Sequence, residues 1–131
     1  MKRSLPVIAI ALLALVWLAP AAVQAPKKPD IVGTWVGYAI SPGTRFELTA
    51  VFDKAGTGYT GKLSDASGMI AETPLREIVF KDNKLTFEFD LDMGGEAMFI
   101  KIELTLENEV LKGFWFDVEG NSDVVELALK K

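Results

Sequence analysis

The chain contains no histidine and no cysteine, so it lacks the commonest general base, the thiol nucleophile and the usual transition-metal ligands. Carboxylates and tyrosines remain as groups that could do chemistry. Asp90, Asp92 and Glu96 surround Met93-Gly94-Gly95, a spacing that faintly suggests a calcium loop built from oxygen ligands. However, Asp90 and Asp92 also lie on the polar side of a predicted strand, and the full ligand set of such a loop is absent. We therefore expect solvated hairpin acids and no bound metal.

Glu72, Arg76 and Glu77 flank an irregular segment, where an acid could act as a general acid or base or could orient a ligand. Ion pairing at the surface is the simpler interpretation. Tyr38 and Tyr59 lie near predicted strand ends, where tyrosine commonly anchors the core to the surface. We expect no catalytic residue and no cofactor, so the chain is interpreted as not an enzyme. An enzyme that uses Glu72 or Glu77 stays open as an alternative.

The amino-terminal residues have the three-part pattern of a secretory leader. Met1-Lys2-Arg3-Ser4 is basic, an apolar run of 14 residues extends from Leu5 to Leu18, and small residues continue to Ala25. The apolar run is shorter than the roughly 20 residues of a comfortable membrane span. The pattern predicts a signal peptide at 1–25, cleaved after Ala25 or alternatively after Ala21. An uncleaved amino-terminal anchor is the other interpretation.

The rest of the chain is acidic and is predicted to be exported. Residues 1–25 contain two basic residues and no acid, so the remainder has 12 basic and 18 acidic side chains and a net charge of −6. Such a domain is a poor candidate for binding nucleic acid or anionic membranes. Without cysteine it has neither disulfides nor a lipid-modified cysteine, so its core must stabilise it. We expect a periplasmic or secreted bacterial protein with a linker at 26–30, one domain at 31–131 and no stable membrane insertion after cleavage.

The first segment after the leader that can form a strand is Ile31 to Ile40. It alternates two sets of residues, and this period of two predicts a strand. Trp35 shares its side of the strand with small residues such as Gly33 and Gly37. This arrangement suits an inner face that other chain segments cross closely, with the indole filling the space between them.

Further alternating segments predict an all-β domain of eight strands, at 31–40, 45–53, 59–64, 75–81, 85–92, 98–106, 110–117 and 124–130. Short turns without crossover helices favour antiparallel neighbours. Closing the first strand onto the last buries the apolar face and removes both sheet edges. The predicted fold is an eight-stranded antiparallel up-and-down barrel, with a two-sheet β-sandwich as the alternative. The irregular segment 65–73 carries Met69 and Ile70, and we expect it to fold over the barrel.

An eight-stranded barrel can hold one small apolar ligand or be filled by its own side chains. The residues expected to bind a lipid or fatty acid in the barrel interior and mouth are Trp35, Phe46, Leu48, Phe52, Met69, Ile70, Phe87, Phe89, Ile100, Ile102 and Trp115. Met93 and Met98 could join Met69 and Ile70 at an adaptable entrance. The alternative is a filled barrel with a structural role, or one that binds an unknown protein partner through a strand edge or through an exposed Phe114 and Phe116 face.

Gly33-Thr34-Trp35 at the start of the first strand resembles the Gly-x-Trp signature of the lipocalins and the wider calycin group. The resemblance implies a lipocalin-like barrel in which a basic residue near the end of the last strand packs over the tryptophan. Lys130 would take that role here. The second lipocalin motif, of the Thr-Asp-Tyr type, is absent, so the chain is similar to the wider group and not to the lipocalins proper.

Most of residues 33–131 is also similar to small bacterial β-domains that occur alone or ahead of exported α/β-hydrolase domains. The matching pieces are Gly33-Thr34-Trp35-Val36-Gly37, Gly61-Lys62-Leu63-Ser64, Pro74-Leu75, Leu85-Thr86-Phe87-Glu88 and Leu111-Lys112-Gly113-Phe114-Trp115. These motifs are structural. The hydrolase part is missing, so no enzymatic role is carried over from this resemblance.

Overall fold

The computed structural model describes residues 29–92 and 94–131, and their regular secondary structure is entirely β. The predicted signal peptide and residues 26–28 of the predicted linker lie outside the described residues. The strands are β1 (Gly33–Ser41), β2 (Thr44–Ala55), β3 (Gly58–Asp65), β4 (Thr73–Pro74), β5 (Arg76–Lys81), β6 (Lys84–Asp92), β7 (Ala97–Glu107), β8 (Val110–Asp117) and β9 (Ser122–Leu129). In this part of the chain no helix is long and apolar enough to cross a membrane.

The nine strands form one antiparallel sheet that curls into a nearly closed barrel. Their hydrogen-bonded order is β4-β3-β2-β1-β9-β8-β7-β6-β5. β1 pairs with β2 along its whole length and with β9 from Trp35 to Ala39, which confirms that the first strand closes onto the last. The sheet ends at β4 and β5, so the remaining seam lies between these two strands. Because all strands belong to one sheet, the alternative of a two-sheet sandwich is wrong.

The predicted count of eight strands is also wrong, because a separate short strand precedes the one expected at 75–81. β4 pairs Thr73 with Leu63 and Pro74 with Lys62. Pro74 has no N–H with which to extend the pairing. Leu75 then leaves the ladder, although its N–H still donates to the Gly61 carbonyl at 2.9 Å. β5 begins at the next residue and pairs with β6 instead.

A β-bulge at the start of β5 explains why the facing of this segment is ambiguous in the sequence. The register with β6 shifts between Arg76 and Val79, and Glu77 lies in the left-handed region with φ of 53°. Leu75 and Ile78 can therefore both pack against the core although they are three residues apart. Val79 is left exposed on the outside.

Along the other strands the predicted alternation holds, and every second side chain faces the barrel interior. In β6, for example, Leu85, Phe87 and Phe89 are buried, whereas Thr86 and Glu88 between them are only partly buried. No charged or polar residue is buried among the described residues. The core is thus made by side chains from all around the sheet, as expected for a barrel of this size.

One end of the barrel is filled by aromatic side chains, and we call it the closed end. Trp35, Phe52 and Phe87 are each at most 1% exposed there. The rings of Phe52 and Phe87 meet edge to face with centroids 5.6 Å apart. Trp35 Nε1 donates to the carbonyl of Ile31 at 2.8 Å, and Ile31 is itself fully buried. The chain just before β1 is therefore part of the core.

Asp30 fixes this entering segment. Its Oδ1 accepts the N–H of Ile31 at 2.7 Å and the hydroxyl of Tyr59 at 3.0 Å. Partial burial alone would raise the pKa of Asp30. The hydrogen bonds from Ile31 and Tyr59 outweigh that effect, so its pKa lies below its ordinary value. Tyr59 is thus an anchor at the closed end, as its place near a predicted strand end suggests.

Candidate ligand-binding cavity

The opposite end of the barrel holds an apolar cavity of about 330 Å³, and we call it the open end. Four connections meet there: residues 41–44, 65–73, 92–97 and 117–122. The cavity is lined by Ala39, Ser41, Pro42, Phe46, Leu48, Leu63, Met69, Ile70, Phe89, Leu91, Met98, Ile100, Ile102, Trp115, Asp117, Asn121 and Val125. Its volume is near the lower limit of the roughly 300–1,000 Å³ typical of small-molecule pockets.

The structure brings eight of the eleven predicted ligand-binding residues together around this cavity. They are Phe46, Leu48, Met69, Ile70, Phe89, Ile100, Ile102 and Trp115. The other three, Trp35, Phe52 and Phe87, belong to the packed closed end and do not line the cavity. A period of two tells which face of a strand is inside. It does not tell how far up the barrel the packing extends.

Met98 lines the cavity as the sequence suggested, while Met93 lies outside the described residues. Several other lining residues are not among the predicted ligand-binding residues. Leu63, Leu91 and Val125 lie on inner faces that the alternation identifies, so a signal for them existed. Asp117 and Asn121 had none, because their positions depend on how the connection between β8 and β9 folds.

Trp115 bounds one side of the cavity and ties β8 to β1 across the intervening β9. Its Nε1 donates to the carbonyl of Ile40 at 2.7 Å. The ladder between β1 and β9 ends at the pair of Ala39 and Val125, one residue before Ile40. The indole therefore satisfies a carbonyl just beyond the end of the ladder, and this fixes its ring beside the cavity.

The connection 65–73 folds over the open end, as its apolar residues predict. Asp65 organises it: Oδ1 accepts the N–H of Ile70 at 2.7 Å, and the Ile70 carbonyl accepts the N–H of Asp65 at 2.9 Å. Partial burial, which would raise the pKa of Asp65, is outweighed by hydrogen bonds from Ser67 and Ile70, so its pKa is lowered. Ile70 is thereby held in the core, and Met69 beside it is half exposed at the entrance.

Asp117 organises the connection between β8 and β9. Its Oδ2 accepts the side-chain amide of Asn121 at 2.9 Å, and its Oδ1 accepts the N–H groups of Glu119 and Asn121, each at 2.9 Å. The amide of Asn121 is the largest cause that lowers the pKa of Asp117. A fixed carboxylate and a fixed amide therefore stand at the edge of an otherwise apolar cavity.

Acid should destabilise the barrel through Asp30, Asp65 and Asp117. The pKa of each is lowered in the folded state, so the unfolded chain binds more protons in the acid range. Their contribution to the free energy of unfolding is complete above the unfolded pKa of about 3.9 and is lost as the pH falls through the lower folded values. We expect the Tm measured by circular dichroism to fall steeply below about pH 4.

The triple variant Asp30→Asn, Asp65→Asn, Asp117→Asn should be less stable at neutral pH and should lose less stability on acidification. Asp53→Asn, at an exposed position on β2, is the matched control and should keep the original pH dependence. An unchanged pH dependence in the triple variant would show that these carboxylates do not hold the barrel ends.

The other groups considered for chemistry lie outside the cavity. Arg76 donates to both carboxylate oxygens of Asp90, at 2.9 and 3.1 Å. Glu72 pairs with Lys62 at 3.7 Å, and Glu77 is exposed. Among the described residues no group of three or more acidic side chains is close enough to hold a metal ion. Surface pairing thus accounts for Arg76, Asp90 and Glu72.

Lys130 does not take the role that the lipocalin resemblance implies for it. Its side chain is exposed, and its backbone N–H donates to the Thr34 carbonyl at 2.8 Å. The cation–π pairs of the described residues join Arg45 to Tyr38, Lys54 to Tyr59 and Arg76 to Phe99, and none includes Trp35. Trp35 instead donates its indole N–H to the carbonyl of the buried Ile31.

Two further depressions, of about 600 and 560 Å³, are less suited to an apolar ligand. The first lies at the closed end, between Asp30 and the turns that contain Asn83 and Asn108. The second runs along β1, β2 and the end of β3, beside Gly37 and Thr49. Backbone and polar groups make up much of both, whereas the cavity at the open end is lined mostly by apolar side chains.

Comparisons with protein-family models, with curated proteins and with solved structures found no match to this chain. The nearly closed antiparallel barrel is compatible with the lipocalin-like fold that Gly33-Thr34-Trp35 suggests. The resemblance itself stays a prediction.

Proposed function

We propose that this protein is a non-enzymatic binding module that holds one small hydrophobic molecule, of lipid type, in the open end of its barrel. The observation that carries the proposal is the apolar cavity of about 330 Å³ above a packed aromatic floor. Ligand sites are concave, mostly apolar and largely preformed, with a few polar groups that set orientation. Ser41, Asp117 and Asn121 supply such groups here.

The size of the cavity favours a single chain or one small ring system over a two-chain lipid. The packed side chains of Trp35, Phe52 and Phe87 close the barrel below it, so a ligand can enter only part of the interior. Met69 lies at the entrance, beside the buried Ile70. Because Met69 is half exposed and unbranched, it can adjust to ligands of different shape.

The remaining parts of the proposal rest on the sequence. The leader pattern at 1–25 supports export to the periplasm or the medium, and the acidic balance argues against nucleic acid as a partner. A carrier of this kind needs no cofactor. We also assign the barrel to the lipocalin-like, up-and-down class, a classification supported by the Gly-x-Trp start and by the pairing of β1 with β9.

Filling the cavity should weaken ligand binding while leaving the fold intact. Ala39 lines the cavity, so Ala39→Leu places three extra carbons where a ligand would lie. We expect affinity for the neutral fluorescent probe N-phenylnaphthylamine to fall at least about tenfold, with little change in Tm. Ala128→Leu, on the exposed outer side of β9, is the matched control and should bind the probe normally. Equal binding by both variants would place the probe elsewhere.

Native mass spectrometry of protein purified from its own export compartment, followed by analysis of released small molecules, tests the proposal without a chosen probe. A stoichiometric lipid-like mass supports a carrier and names its ligand class. A bare polypeptide that also fails to bind N-phenylnaphthylamine overturns the proposal.

A second candidate, a protein-interaction domain, is favoured by one feature of the outer surface. Phe114 is 50% exposed and lies directly opposite Val124, which is 37% exposed, on the neighbouring strand β9. An adjacent exposed pair of this kind is a possible contact for a partner. The cavity supports the first candidate more strongly, because a barrel with only a structural role needs no unfilled end.

A further inference from the structure

The open end carries mostly negative charge, and this sign bears on which amphiphile the cavity would accept. In and directly beside its four connections the sequence places one basic residue, Arg45, against seven acids: Asp65, Glu72, Asp92, Glu96, Asp117, Glu119 and Asp123. The closed end is different. Its turns and the end of the chain carry Lys81, Lys84, Lys130 and Lys131 beside a few acids.

The described side chains that line the cavity also include an acid and no basic residue. Its polar side chains are Ser41, Asp117 and Asn121, and no lysine or arginine is among the described residues that line it. The hydrogen bonds within the β8–β9 connection keep the Asp117 carboxylate fixed, and its oxygens keep lone pairs that can accept a further donor.

The two arginines of the described residues, Arg45 and Arg76, are paired with acids and do not line the cavity. Arg45 bonds Glu47 at 2.6 Å and covers the Tyr38 ring at 4.1 Å. Arg76 is bound to Asp90 at 2.9 Å. A ligand carboxylate at the open end would therefore meet acceptors and negative charge, with no cation in the cavity lining to compensate it.

We propose that the cavity selects a single-chain amphiphile with a cationic head group, an alkylammonium in chemical class, and disfavours fatty acids. This inference rests on the proposed function and narrows it. The chain enters the apolar cavity, and the ammonium group stays at the entrance among the acids, where it remains partly hydrated. Opposite charges near a concave, low-dielectric wall attract more strongly than they do in bulk water.

The test compares three ligands of equal chain length, decyltrimethylammonium, decanol and decanoate, each below its critical micelle concentration. Each competes with N-phenylnaphthylamine for protein purified from cells that produce the full chain. We expect the cation to bind at least about threefold more tightly than decanol and decanoate to bind most weakly. In about 1 M salt, where the Debye length is about 3 Å, the three affinities should converge.

A pair of charge variants connects the preference to the open end. Glu96→Gln with Glu119→Gln removes two exposed acids there and should reduce the advantage of the cation about two- to fivefold, without changing the affinity for decanol. Asp82→Asn with Glu107→Gln removes two exposed acids at the closed end and should change neither affinity.

The outcomes separate this inference from the function on which it rests. Equal affinities at low salt, or tightest binding of decanoate, overturn the cationic preference but leave an apolar site. Failure to bind the neutral probe or any of the three ligands overturns the binding function itself. A cationic advantage that survives Glu96→Gln with Glu119→Gln, or that disappears in the closed-end control, would contradict the placement of the head group.

Discussion

Gly37→Ala and Gly113→Ala should each lower the free energy of unfolding by about 3 kcal/mol, the upper part of the range for overpacked sites. A Cβ at Gly37 would lie 1.9 Å from the carbonyl oxygen of Glu126 on β9. A Cβ at Gly113 would lie 1.9 Å from the carbonyl oxygen of Glu103 on β7. The obstacle is backbone in both cases, so a side-chain rotation cannot relieve it and the strands must move apart.

The closeness of these approaches follows from barrel closure. Gly37 is paired with Leu48 and Leu127, and Gly113 with Leu104 and Val125. At such points a strongly curved sheet brings a neighbouring backbone over the position that a side chain would need, which favours glycine inside a strand. Substitution there therefore acts on the curvature of the barrel.

Two further glycines give a graded control set. A Cβ at Gly61 would lie 2.9 Å from the Phe52 ring and 3.0 Å from the Val51 carbonyl oxygen, a milder obstacle because both distances are about 1 Å longer than those at Gly37 and Gly113. At Gly58 the nearest atom is the Ala55 carbonyl oxygen at 3.9 Å, which is ordinary contact. Denaturant unfolding of the four alanine variants should rank Gly37 and Gly113 as most costly, Gly61 next and Gly58 within about 0.5 kcal/mol of the original chain. Loss of that order would contradict the close strand approaches.

The alternation along most strands and the pairing of the first strand with the last were predictable from the period of two and from the need to bury one face of the sheet. Alternation identified the inner side chains of β2 and β6, and the small residues around Trp35 indicated close approach on β1, which the Cβ position at Gly37 bears out. Burial of one face then favoured pairing of the first strand with the last, but the expected removal of both edges was wrong, because β4 and β5 remain edge strands. None of these steps needed information about distant side chains.

The features that were missed depend on single backbone angles or on contacts across the barrel. The bulge at Glu77 needs a positive φ at a residue type that gives no sign of it. The separate strand β4 arises where Leu75 leaves the ladder. The boundary between the filled closed end and the cavity depends on which aromatic rings from different strands pack against each other inside the barrel, as Phe52 and Phe87 do. Periodicity carries none of this information.

The two tryptophans of the described barrel should have opposite roles, which mutation can separate. Trp35 lies in the closed end, and its Nε1 satisfies the Ile31 carbonyl. Trp35→Phe leaves that buried carbonyl without its donor, so we expect a loss of about 1–3 kcal/mol in the free energy of unfolding. Trp35→Ala should cost about 3–5 kcal/mol because it also opens a void. Since the closed end does not line the cavity, Trp35→Phe should keep its affinity for N-phenylnaphthylamine.

Trp115 lines the cavity and is only partly buried. Its substitution should therefore affect ligand binding more than stability, the opposite of what we expect for Trp35. Trp115→Ala removes apolar surface from the site and frees the Ile40 carbonyl at a position that water can reach. We expect a smaller loss of stability than for Trp35→Ala and about tenfold weaker binding of N-phenylnaphthylamine, equivalent to about 1.4 kcal/mol. Affinities are compared well below the Tm of each variant. Weaker binding in Trp35→Phe than in Trp115→Ala would mean that the probe occupies the closed end, and the assignment of the two ends would have to be reversed.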